Sequence, residues 1–174
     1  MATSQNGWPA LNADSSLLYT WTIPAKNGTL RIRLRNGSAG FLLCHFLLWW
    51  SERLDDLTAP HPADDWGYAY RPVRGYTALS NHASGTAADA DATQWPLGTE
   101  HMSATMKARI RLRLKLYAGC LRWGGDYSGR KDQMHTEINA PLSACEKVAR
   151  RLMNTPRGRR ILKANPSQRA VILS

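Results

Sequence analysis

Two stretches, Ser80-Asn81-His82-Ala83-Ser84-Gly85-Thr86-Ala87-Ala88-Asp89 and Asp132-Gln133-Met134-His135-Thr136-Glu137, decide how this chain is read. Together they hold two histidines and several carboxylates, set among small residues and separated by residues 90–131. Zinc hydrolases need this inventory: three ligands of the His/His/carboxylate kind, one open position, and a nearby carboxylate for the water proton.

His82 and Asp89 are seven positions apart. With His82 closing a loop and Asp89 on the strand that follows, both reach one point. Gly85 and the small residues Ala83, Ser84, Ala87 and Ala88 let the backbone pass close to an ion. His135 supplies a third ligand from a neighbouring strand and leaves a fourth position for water. Asp132 and Glu137 are the two candidates for proton transfer. In an extended strand Glu137 shares a side with His135 and Asp132 does not, whereas a turn at 130–133 folds Asp132 back over the metal. Spacing leaves both open. Arg71 and Arg74 are candidates for oxyanion or substrate-carboxylate binding, because a guanidinium fork matches a carboxylate. The plainer alternatives are a hydrogen-bonded His/Asp pair and surface ion pairs. His45 reads as a core histidine, and His61 and His101 as solvent-exposed.

Outward from these motifs, Thr29–Arg35 alternates Leu30, Ile32, Leu34 with Arg31, Arg33, Arg35, a half-buried strand with one basic face. Asn36-Gly37-Ser38 is a turn with Ser38 as N-cap of a buried helix over Phe41–Leu54. Asp55–Tyr76 is a long irregular segment broken by Pro60, Pro62, Pro72, Gly67 and Gly75, with Trp66, Tyr68, Tyr70 and Tyr76 interleaved; such segments in compact domains are often functional. Thr86–Thr93 reads as a short strand. Met102–Leu121 reads as a helix, although residues 110–116 also alternate like a strand. Trp123–Gly129 is an open turn and Met134–Asn139 a short strand. Ser143–Met153 is a helix with Ser143 as N-cap and Glu146 completing a capping box.

At 174 residues, 43% apolar and 21% charged, the chain fits one globular domain. Residues 1–28 are expected to form a partly irregular leader, 29–153 the catalytic domain and 154–174 a basic tail. The net charge is +10 but uneven: residues 51–100 hold eight acids and three arginines, an acidic patch inside a basic body. That distribution suits a metal enzyme acting on an anionic polymer; no nucleic-acid motif accompanies the charge. Seven Trp and six Tyr against two Phe suit a carbohydrate or peptide cleft. Cys44, Cys120 and Cys145 form no close pair and no Cys-x-x-Cys, which speaks against a structural zinc knuckle and for a reducing compartment. Residues 1–16 lack a signal-peptide pattern, and Gly40–Trp50 is too short to span a bilayer. A monomer made in the cytoplasm, without membrane insertion, is expected.

The pattern Ser-x-His-x-x-Gly-x-Ala-x-Asp followed by Asp-x-Met-His-x-Glu resembles the zinc D-Ala-D-Ala carboxypeptidase and L-alanyl-D-glutamate peptidase family, with vancomycin-resistance enzymes and phage endolysins among its members. The stretch Asp65–Gly75 running into Ser80-Asn81-His82 looks closest to peptidase modules of lysins from phages of actinobacteria. The resemblance covers roughly residues 40–140. It implies an α+β fold, a small antiparallel sheet flanked by helices with a single zinc in a groove on the sheet. It also implies zinc on His82, Asp89 and His135, Asp132 as general base, and Glu137 as support behind a ligand. Arg71, then Arg74, would bind the oxyanion or a carboxylate, and Ser80 and Ser84 would lie in the substrate-facing loop. The implied substrate is the peptidoglycan stem peptide, reached at the cell wall after release. Trimming of terminal D-alanine and non-catalytic wall binding are the alternatives. Two positions depart from the pattern: Asp91 replaces a common Asn, adding negative charge, and Thr136 replaces an aromatic, which would loosen the groove.

Overall fold

The computed structural model describes residues 2–58 and 64–174. An antiparallel hairpin, β1 (Leu18–Ile23) and β2 (Leu30–Arg35), is joined by Asn36 to the central helix α1 (Gly37–Arg53). A three-stranded antiparallel sheet follows, in the order β3 (Ala87–Asp89), β5 (His135–Ile138), β4 (Leu121–Trp123). Helix α2 (Ala104–Leu114) lies between β3 and β4; α3 (Leu142–Leu152), α4 (Pro156–Ala164) and α5 (Gln168–Leu173) close the chain. The architecture is α+β, with small antiparallel sheets and helices.

β2 buries Leu30, Ile32 and Leu34 and turns Arg31 and Arg33 outward, so the period of two decides its faces. Its partner β1 arises from a stretch expected to be partly irregular; Leu18, Trp21 and Ile23 are buried and Trp21 pairs with Ile32. α1 is buried from Gly37 to Ser51, as a helix apolar all round must be. It packs against β1, β2, β5, α3, α4 and α5 and is the platform for both sheets. Gly40 makes this possible: a Cβ there would overlap the Arg35 carbonyl and the Trp21 indole, which are themselves joined by Trp21 Nε1–H to Arg35 O at 3.1 Å.

Several local expectations are corrected. Ser38 does not cap α1; it is buried in the first turn, and Gln168 of α5 accepts from the Gly37 amide at 2.8 Å instead. α2 stops at Leu114, followed by one 3₁₀ turn (Lys115–Tyr117); the left-handed residues Ala118 and Gly119 reverse the chain, and Leu121 already belongs to β4. Ser143 does not cap α3, whose N-cap is Pro141 without a side-chain bond. The leader is not loose at residues 4–11, where Ser4, Trp8 and Leu11 are buried. The basic tail is two helices, docked by Asn165, which bonds both Thr22 N and Thr22 O across to β1. Cys44, Cys120 and Cys145 are free and buried. No helix among the described residues is long and apolar enough to cross a membrane.

Gly40→Ala is expected to destabilise the fold by about 1–3 kcal/mol, since the overlap is with backbone and a buried indole; denaturant unfolding of the variant against wild type measures it.

Candidate functional site

The site is built where β3 and β5 pair. Their register sets Asp89 opposite His135 and Ala87 opposite Glu137, while β4 sets Arg122 opposite Glu137. Alternation therefore puts Asp89, His135, Glu137 and Arg122 on one face of the sheet, and Ala88, Thr136 and Trp123 on the other. His82 arrives from a 3₁₀ turn, Asn81–Ser84, which Ser80 caps by accepting from the His82 amide and which Gly85 ends with φ +68°. Gly85 is needed twice: for that backbone conformation and because a Cβ would sit 2.7 Å from the Arg35 amide nitrogen.

One ligand atom from each of His82, Asp89 and His135 lies within 4.8 Å of the others, and all three residues are buried. His82 Nε2 is 3.2 Å, and His135 Nδ1 2.8 Å, from the same Asp89 oxygen. The far ring atoms are held from behind. His82 Nδ1–H donates to the Gly67 carbonyl at 2.6 Å, which leaves Nε2 free to ligate. His135 Nε2 lies 3.2 Å from Glu137 Oε2, to which Asn81 Nδ2 also donates. This is how proteins orient metal-binding imidazoles. Desolvation raises the pKa of Asp89, but the two imidazoles outweigh it and hold the carboxyl well below its ordinary value. Burial lowers that of His135, and the bonds its ring N–H groups donate to Asp89 and Glu137 reverse the effect and push it up to about 10. Two carboxylates thus grip one ring as a cation. The donor set fits a divalent ion of the zinc type: two imidazoles and a carboxylate converge, and the pocket favours positive charge.

A cleft of about 810 Å³ opens over this cluster. Asp132 lines it together with His82, Asp89 and His135. A turn does precede β5, with His135 N donating to Asp132 O, and Gly124 has no Cβ to collide with the Asp132 backbone and Cβ. Asp132 Oδ1 is buried with no hydrogen-bond partner. Desolvation raises this carboxyl to about 6, with Asp89 adding to the rise and the histidines opposing it. Ser80, Arg71 and Arg74 also line the cleft.

Four expectations are corrected here. Ser84 is fully buried, its hydroxyl bonded to Ser4, Asn81 and Thr86, so it faces no substrate. Glu137 does not line the cleft but stands behind His135, so of the two carboxylates left open for proton transfer Asp132 is the one that borders the cleft. Thr136 points to the opposite side of the sheet and cannot loosen the groove. Asp91 accepts from the Trp50 indole at 2.8 Å, so its charge anchors α1 rather than facing the cleft. His101 is exposed, and His61 lies outside the described residues. Asp64, Asp65 and Asp91 also approach one another, but Asp64 bonds Thr93 and Asp65 accepts from the Asp91 amide.

Residues 74–138 match the family model described as D-alanyl-D-alanine carboxypeptidase. That segment contains the whole converging set and Asp132. No curated protein and no solved structure matches the chain.

Sequence reading missed Arg122, Arg130, Tyr127 and Asn6. Arg122 and Arg130 line the cleft beside Arg71 and Arg74; Arg122 stacks on Tyr127 at 4.6 Å and lies 3.8 Å from Glu137. Glu137 two residues after His135 was the available signal, since an inward-facing acid on a short strand attracts a cross-strand cation. Asn6 left no signal in its surroundings. Its amide donates to Asn81 Oδ1 at 2.8 Å, and its Nδ2 donates to Thr86 Oγ1 and Ile138 O, both at 2.8 Å. Asn6 therefore fastens the His82 turn to the end of the His135 strand, through its backbone to Asn81 and through its side chain to Thr86 and Ile138. Asn6→Ala is expected to weaken zinc binding by about 10- to 100-fold; competition against a chromophoric chelator measures this, with circular dichroism to show that the fold is retained.

Proposed function

We propose that this chain is a zinc peptidase that hydrolyses an amide bond in the peptidoglycan stem peptide, as an endolysin-type L-alanyl-D-glutamate endopeptidase. The observation that carries the reading is the convergence of His82, Asp89 and His135 beneath a cleft that also holds an unpartnered, proton-competent Asp132. The family match supports the reaction class.

His82, Asp89 and His135 would hold the ion. When bound, zinc supplies Lewis-acid polarisation of the scissile carbonyl and acidification of a water. Asp132 takes the proton from the attacking water and delivers it to the leaving amine, the role its unsatisfied oxygen and raised pKa suit. Gly67 and Glu137 keep the two rings in place. Arg71 is the first candidate to steady the oxyanion or a substrate carboxylate, with Arg74 second; Ser80, with its hydroxyl at the turn that carries His82, borders the same space. Four arginines around one cleft suit a peptide that carries several carboxylates, and exposed Trp66 and Tyr76 on its lining offer apolar contact. The enzyme would act at the cell wall after release from the cytoplasm.

Digestion of purified walls is expected to lower turbidity and expose new amino termini without free D-alanine; free D-alanine with unchanged turbidity would instead indicate trimming. Asp132→Asn should lose about 10²- to 10⁴-fold in rate while retaining its zinc. Equal rates for both proteins would remove Asp132 from the mechanism.

The base is active when ionised. Because Asp132 is raised to about 6, kcat/KM should fall as pH drops through an acid limb no higher than about pH 6, and Asp132→Asn should abolish that limb. A pH–rate profile on soluble stem peptide checks the sign.

A further inference from the structure

Where α1, α2 and α4 meet, a concavity of about 360 Å³ shares no lining residue with the metal cleft. Its walls carry Arg113, Arg157 and Arg160, with Glu52 as the only carboxylate among the described residues that line it. Glu52 is already engaged twice, accepting from Arg157 Nε at 2.6 Å and from Arg160 Nη1. Arg113 has no acid of its own. Its Nη2 donates to His45 Nδ1 at 3.1 Å, and its Nε has no partner.

His45 cannot neutralise it. The ring is buried, and burial together with the Arg113 and Arg157 charges lowers its pKa to about 3, so it is neutral. Nδ1 then accepts from Arg113 and from the Tyr117 hydroxyl at 2.9 Å, and Nε2–H donates to Thr155 Oγ1 at 3.2 Å. Arg113 is also fixed in place, over the rings of Trp49 at 5.6 Å and Tyr117 at 5.5 Å. A partly buried guanidinium with a neutral partner and a second guanidinium nearby is costly unless an anion joins it. A second concavity shares Arg113 and Arg157, adds Arg53 and Arg109, and contributes no acid.

We propose that Arg113, Arg157 and Arg160 form an anion-binding site that takes a phosphate group. Three guanidinium groups against one carboxylate leave an excess of two positive charges, which a phosphate dianion balances. Planar forks meet several oxygens at once, a match that a single carboxylate would leave incomplete. The source is either free phosphate or an anionic polymer whose phosphodiesters bring one charge each, two of them matching the dianion, and the proposal stands independently of the peptidase reading.

The test is calorimetric titration of the full chain with inorganic phosphate at low ionic strength, against chloride at matched ionic strength. Wild type should bind phosphate and not chloride. Arg157→Gln, which leaves the stacked Arg113 in place, should weaken binding about tenfold. Glu52→Gln should tighten it, because the competing carboxylate is gone. Hydrolysis of soluble stem peptide by Arg157→Gln should remain at the wild-type rate. Polyglycerol phosphate in a parallel titration separates the sources: tighter binding per phosphate than the free ion assigns the site to a polymer, and equal or weaker binding to the free anion. No phosphate binding by wild type, or equal affinity in all three proteins, overturns the proposal.

Discussion

Asp89 is a carboxylate almost without access to water, and one of its oxygens faces an imidazole on each side. A buried charge of this kind is tolerable only when its partners are fixed. The two histidines come from chain segments more than fifty residues apart, so the fold must hold a tertiary arrangement that no local preference supplies. Without an ion, a proton on His135, gripped by Asp89 and Glu137, answers the demand for positive charge. Binding of a divalent ion would release that proton, which ties metal affinity to pH.

The strands that make this arrangement are three and four residues long, too short to fix their own register. Register is imposed from outside. Trp66 bonds both backbone groups of Asp89 on the free side of β3, and Gly67, the next residue, supplies the carbonyl that orients His82. Gly85 is pressed against Arg35 at the start of the α1 platform. Asn6 joins the His82 turn to β5. Arg35 and Asn6 lie far from the ligands in sequence, so ring position depends on contacts that no local pattern announces.

This explains what was legible. β2, α1 and β5 were readable because periodicity and apolar runs are properties of neighbouring residues. The two motifs were readable because ligand chemistry restricts residue type. β1 was not, since Leu18, Trp21 and Ile23 alternate imperfectly and become a strand only by pairing with β2. The Ser38 and Ser143 caps failed because Gln168, distant in sequence, and Pro141 take over the helix starts. Ser84 and Glu137 carried the right chemistry in the right place, but whether a side chain faces a cleft or stands behind a ligand depends on neighbours such as Ser4 and Asn81.

Charge gives the clearest case of a correct composition leading to a different geometry. The acids of residues 51–100 suggested an acidic surface around a cation. Of the seven besides Glu100, none is exposed: Asp89 turns to histidines, Asp91 to Trp50, Asp64 to Thr93 and Glu52 to arginines of α4. The exposed charge bordering the cleft is Arg71, Arg74, Arg122 and Arg130. The site is therefore negative at its base and positive at its rim. A free metal ion would meet a cationic rim before its ligands, whereas an anionic peptide would be drawn to the rim with its amide over the base. That order of potentials would suit a resident ion and a polyanionic substrate, and it separates the cleft from the arginine pocket on α1, α2 and α4, where Glu52 alone stands against three arginines.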